Sequence, residues 1–155
     1  MSVDWGVVPA QPDDLGFREW LTSAGLEIPQ FGGRFPTLEE FMSVLQSFVG
    51  LPIQHESSAE SLYSISLGEP YSEQCACILG HVEDNHFQFH FYGSSNQEIT
   101  MMEILKRLAS VCGPLILYES IAATPVIIES STSIEKELED WRRRSQQRYS
   151  KNMAE

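Results

Sequence analysis

The sequence predicts an α+β domain: a mainly antiparallel sheet of about five or six strands, flanked by three or four helices. Three observations lead there. Four stretches place apolar residues at helical spacing. Four extended segments follow one another between the second and third of these stretches, which is how hairpins read. Helix and strand patterns never alternate for long enough to build a doubly wound sheet. The expected order is α-α-β-β-β-β-α-β-β-α. With 155 residues the chain has one domain's length, divided here into an arm over 1–12 and a domain over 13–155.

The arm is assigned because Pro9 and Pro12 interrupt a segment of little periodicity, with Trp5 able to tuck it onto the body. Asp13 or Asp14 then caps a helix whose stripe is Phe17, Trp20, Leu21 and Ala24, stopped at Gly25. Residues 28–36, rich in Pro and Gly, have loop chemistry. Thr37 and Glu40 form a capping-box pattern opening a second helix with Leu38, Phe41, Met42, Leu45, Phe48 and Val49 on one side, closed by Gly50.

Leu51 to His55 is a weak strand because of Pro52, and Leu62 to Leu67 alternates as a half-buried strand does. Tyr71 to Val82 and His86 to Tyr92 read as a hairpin. A two-residue turn at Asp84-Asn85 sets Val82 opposite Phe87, Gly80 opposite Phe89 and Ile78 opposite Phe91, collecting the apolar side chains on one face. A third helix, capped by Ser95 or Thr100, carries Met101, Ile104, Leu105, Leu108 and Cys112 and ends at Gly113. Leu115 to Tyr118 is apolar on both faces, which suits a strand covered on both sides or one at a contact surface. Val126 to Ile128 is its short partner. Thr132 with Glu135 caps a last, charged helix over about 132–151.

Charge is the most informative compositional feature. Ten Lys and Arg against 22 Asp and Glu give a net −12. Residues 1–130 carry −13 of this, and residues 131–155 carry +1. A polyanion repels phosphate backbones and anionic lipid, so nucleic-acid and membrane partners are disfavoured and a basic protein is favoured. In the last helix, acids precede Arg142, Arg143, Arg144, Arg148 and Lys151, complementing the helix dipole. Glu139 with Arg143 and Asp140 with Arg144 have the favourable i, i+4 spacing, and the arginines could instead dock onto the acidic body. The start has no basic and apolar leader pattern, no apolar run approaches the ~20 residues of a spanning helix, and three cysteines suit reduced thiols. A cytoplasmic location is expected.

No catalytic fingerprint is present: no nucleophile elbow, phosphate-cradling glycine loop or zinc-protease motif, and no cofactor motif. Cys77, His81, His86 and His90 share a hairpin face that could hold zinc or copper. Against this, His86 and His90 stand roughly 13 Å apart along a strand, so only cross-strand pairs such as Cys77 with His90 would serve. Phe87, Phe89 and Phe91 belong to the core by alternation. Trp5, Phe31, Phe35 and Trp141 fall outside the strongest patterns, and any of them exposed beside acids would resemble an interface hot spot.

The leading expectation is a non-enzymatic cytoplasmic protein-binding domain with an acidic contact surface. Its candidate contact residues are Glu69, Glu73, Glu83 and Asp84, acids at turns and strand ends where display is easiest. In composition it is similar to bacterial immunity proteins, which are small, acidic and single-domain and neutralise basic toxins. Two alternatives stand beside it. The order from Thr37 onward looks like that of a dimeric type III secretion chaperone, which is also small and acidic and binds an effector, with Leu115–Tyr118 as a dimer seam. A small metal- or thiol-dependent enzyme would use the Cys77/His81/His90 face.

Overall fold

A computed structural model describes residues 4–57, 62–69, 75–81, 86–90, 97–119 and 124–154. Its elements in chain order are β1 (Asp4–Pro9), α1 (Leu15–Ser23), α2 (Leu38–Gln46), β2 (Ile53–Ser57), β3 (Leu62–Leu67), β4 (Ala76–His81), β5 (His86–His90), α3 (Gln97–Cys112), β6 (Leu115–Glu119), β7 (Pro125–Ile128) and α4 (Ile134–Ala154). The architecture is α+β. All seven strands belong to one sheet, ordered β2-β3-β4-β5-β1-β6-β7 and antiparallel at every pairing.

The expected arm is instead a central strand. β1 lies between β5, with Trp5 opposite Phe89, and β6, with Trp5 opposite Glu119. This adds a seventh strand and a leading β to the expected order. Local pattern misreads the segment because Gly6 and Pro9 are poor strand residues. Here Gly6 is required. The Tyr118 ring lies across β1 at this point, and a Cβ on residue 6 would overlap it. Pro9 sits at the strand's end, where a missing N–H is tolerated.

The β4–β5 register also differs from expectation, by two residues: Ile78 faces Phe89, Gly80 faces Phe87, and His81 faces His86. The expected turn at Asp84-Asn85 lies outside the described residues. A two-residue shift keeps every side chain on its original face, so apolar alternation cannot choose between these registers. Asp84-Asn85 also lacks the glycine that would favour the tight turn.

One face of the sheet carries the main core. Trp5, Val7, Ile65, Leu67, Ile78, Leu115, Leu117, Val126 and Ile128 pack there with Phe41 and Leu45 of α2, Met101, Leu105 and Leu108 of α3, and Leu138 and Trp141 of α4. On the opposite face, α1 lays Phe17 and Leu21 over Ala10 and Ile116. β6 is therefore covered on both sides. Leu115, Ile116 and Leu117 are fully buried within the chain, so the seam expected of a dimer is interior packing.

Several helix ends follow the sequence, but α2 stops at Gln46, well before Gly50, and leaves Val49 95% exposed instead of on the apolar side. Asp14 caps α1, accepting from the Phe17 amide at 2.8 Å, and the capping box of Thr37 and Glu40 is complete on both arms. Thr100 lies inside α3 and caps nothing there, while Ser95 is outside the described residues. Thr132 does not cap α4. Its hydroxyl accepts from the Glu129 amide at 2.7 Å, and its own amide donates to the Glu129 carbonyl, closing the turn before the helix. On α4, Arg143 pairs with Asp140 at i, i+3, Arg142 reaches Glu98 of α3 at 3.1 Å, and Arg144 donates to the Pro125 carbonyl at 2.8 Å. Two of the arginines thus dock onto the body.

Candidate functional site

Of the acids expected to form the contact surface, Glu69 alone lies among the described residues. Glu69 is exposed just beyond β3, at the sheet end where Leu67 pairs with Ala76. Glu73, Glu83 and Asp84 lie outside the described residues.

The four aromatic candidates separate sharply. Trp5 and Trp141 are buried against each other, and Phe35 packs on the main core. Phe31 alone of the four stands out, 74% exposed. It lies on the rim of a groove of about 830 Å³.

Three chain segments build this groove. The first is the loop 27–33, strapped down at several points. The Gly33 amide donates to the Ala10 carbonyl at 2.9 Å, the Ala10 amide to the Pro114 carbonyl at 3.0 Å, and the Arg34 amide to the Cys112 carbonyl at 2.8 Å. Gly33 passes so close to Pro114 that a Cβ would strike its carbonyl oxygen. Arg34 then holds Glu40 with two parallel hydrogen bonds of 2.7 and 2.6 Å. The second segment is the end of α3 with Gly113 and Pro114. The third is the turn 129–133 leading into α4, closed by Thr132 and by the Glu137 amide donating to the Ser133 carbonyl. At its start the Leu26 amide donates to the Leu21 carbonyl at 3.0 Å, and a loop fixed at both ends presents its apex residue at little entropic cost on binding.

The lining combines apolar and charged groups. Ile28, Ile127 and Pro114 supply apolar surface continuous with the α1-side core. Among the described residues the charged lining is Glu27, Glu129 and Glu137 against Lys136, so the groove is net negative. Glu137 is half-buried. Burial, and then repulsion from Asp140 and Glu129, raise its pKa, while Arg144 and Lys136 oppose the rise. This carboxylate would gain from a further cation.

The hairpin face gives less. The ladder sets Cys77 opposite His90, one of the cross-strand pairs expected, and His81 opposite His86. Cys112 is a free thiol, and burial pushes it up, away from the reactive thiolate form. Among the described residues no three His, Cys, Asp or Glu side chains gather as metal ligands. None of the described helices is long and apolar enough to cross a membrane.

Sequence reasoning named Phe31 as one of four aromatics and missed its neighbours. Glu27, Glu129 and Glu137 are about a hundred residues apart at the extremes and share no spacing. The only signal was a Pro- and Gly-rich loop carrying phenylalanines. Comparisons of this chain with protein-family models, with characterised proteins and with solved structures return no match.

Proposed function

We propose that this chain is a non-enzymatic protein-binding domain that recognises a cationic protein, in the manner of an immunity protein neutralising a basic toxin in the cytoplasm. The observation that supports this reading best is the exposed Phe31 beside a net-negative groove on a rigid loop. Aromatic side chains are enriched at the centres of interfaces, where a few residues carry much of the binding energy. The chain's −12 charge adds long-range steering of a basic partner, raising association rates toward ~10⁸ M⁻¹s⁻¹ at low salt.

The experiment is a binding measurement against the product of the neighbouring gene. A basic partner bound with an association rate that falls steeply with added salt is the expected result. A partner bound with no salt dependence, or no binding at all, overturns the reading. Charge reversal to Lys at Glu69, Glu73, Glu83 and Asp84 then tests whether the strand-end acids take part: slower association places them in the contact.

A further inference from the structure

We infer that the Phe31 groove is a docking site for an extended segment of the partner that carries a basic side chain next to an apolar one. This rests on the protein-binding reading and names the chemistry that the groove selects. The two halves of the requirement come from different observations. Apolar selection comes from Phe31, 74% exposed, and from the half-buried Ile28 and Ile127 behind it. Burying an aliphatic side chain among three such groups contributes roughly 25 cal/mol per Å² of apolar surface removed from water. Charge selection comes from Glu129 and Glu137, which line the groove from the turn before α4 and from its first turns, and from Glu27, which lines it from the loop 27–33. Lys136 is the one opposing charge among the described lining residues.

The groove also contains features that would suit an anion. Ser130, Ser131 and Ser133 line it at the start of a 21-residue helix, where amides and the helix dipole favour negative charge. The three carboxylates decide against that occupant. An incoming phosphate or carboxylate would meet Glu129 and Glu137 in the same groove, and like-charge contacts in a partly desolvated groove are strongly unfavourable. A guanidinium or ammonium meets them favourably, and half-burial of Glu137 lessens screening of that pairing.

The test uses the full chain and blocked synthetic pentapeptides, followed by amide chemical shifts. Gly-Arg-Leu-Arg-Gly should produce saturable shifts clustered at 27–33 and 129–137. Gly-Arg-Gly-Arg-Gly should bind at least several-fold more weakly, and Gly-Glu-Leu-Glu-Gly not measurably. Phe31→Ala, and separately Glu129→Gln with Glu137→Gln, should each weaken the first peptide about tenfold, as loss of a hot-spot group does. Glu19→Gln with Glu39→Gln, on exposed faces of α1 and α2, should leave it unchanged. Equal binding by all these variants, shifts centred elsewhere, or preference for the glutamate peptide would overturn the inference. So would concentration-dependent shifts at the groove without peptide, because the occupant would then be a second copy of the chain. A cationic partner bound equally well by the Phe31 and Glu129/Glu137 variants would leave the protein-binding reading standing and remove only this site. Groove-centred peptide binding without any cationic protein partner would do the reverse.

Discussion

The indole rings of Trp5 and Trp141 lie 4.7 Å apart, centroid to centroid, at a tilt of 48°. One belongs to the first strand and the other to the last helix, so this contact ties α4 to the middle of the sheet. Both residues are buried, at 2% and 9% exposure.

Replacing either tryptophan by alanine should therefore destabilise the fold by about 3–5 kcal/mol, as large-to-small changes of buried aromatics do. The double variant should cost less than the sum of the two, because each single change already removes the ring contact. Urea denaturation of the four proteins measures both quantities. Two-state curves with additive losses would mean that the rings do not interact energetically.

Gly6 and Tyr118 supply a second test. Gly6→Ala should destabilise by about 1–3 kcal/mol, since the new methyl forces the tyrosine ring off β1. That ring is also held edge-on by Trp20 at 5.5 Å, which limits its escape. Adding Tyr118→Ser should recover part of the loss caused by Gly6→Ala, measured against Tyr118→Ser alone. Equal losses in the two backgrounds would show that the overlap relaxes elsewhere.

The Arg34–Glu40–Thr37 cluster predicts a dependence on pH. The hydrogen bond from Arg34, followed by the Thr37 amide, lowers the Glu40 pKa from 4.5 to about 2. A carboxylate whose folded pKa lies below its unfolded value stabilises the fold above the unfolded value, and this is lost as pH falls through the folded one. Glu40→Gln should thus be less stable than the parent at neutral pH, and the gap should close between pH 4.5 and about 2. The pair is solvent-exposed, so the gap will be small. Thr37→Ala should cost roughly 1 kcal/mol for loss of the cap, with little change over the same range.

Glu137 has the opposite sign. Its folded pKa is raised, chiefly by burial and then by Asp140, so its charged form weakens the fold. The stability it contributes is complete below the ordinary glutamate value and declines as pH rises through the raised one. Glu137→Gln should increase the melting temperature at neutral pH and have no such effect in acid. A lower melting temperature at neutral pH would mean that the carboxylate already has a strong internal partner. A groove residue that costs stability while unliganded is what a binding role leads one to expect.

Local rules account for what was legible in the sequence. Asp14, Thr37 and Glu40 mark helix starts through side-chain bonds only three residues long, and Gly25 and Gly113 mark ends by adopting positive φ. Facial sorting of β3 and β4 was equally visible, because alternation is a property of each strand alone. Relationships between distant segments were not. β1 is a strand because β5 and β6 offer it hydrogen-bonding partners on both sides, more than eighty residues away. The groove has the same origin: Phe31 was recognisable as an aromatic in a loop, but only folding brings Glu129 and Glu137 to it.

The placement of β1 also bears on the order in which the protein can mature on a ribosome. β1 is translated before both of its neighbours, Phe87–His90 on one flank and Leu115–Glu119 on the other. Until that second flank has been made, β1 has at most one edge to join. A strand made before its partners is thus among the last of this sheet to be locked, and anything that restrains it would be expected to delay completion of the sheet.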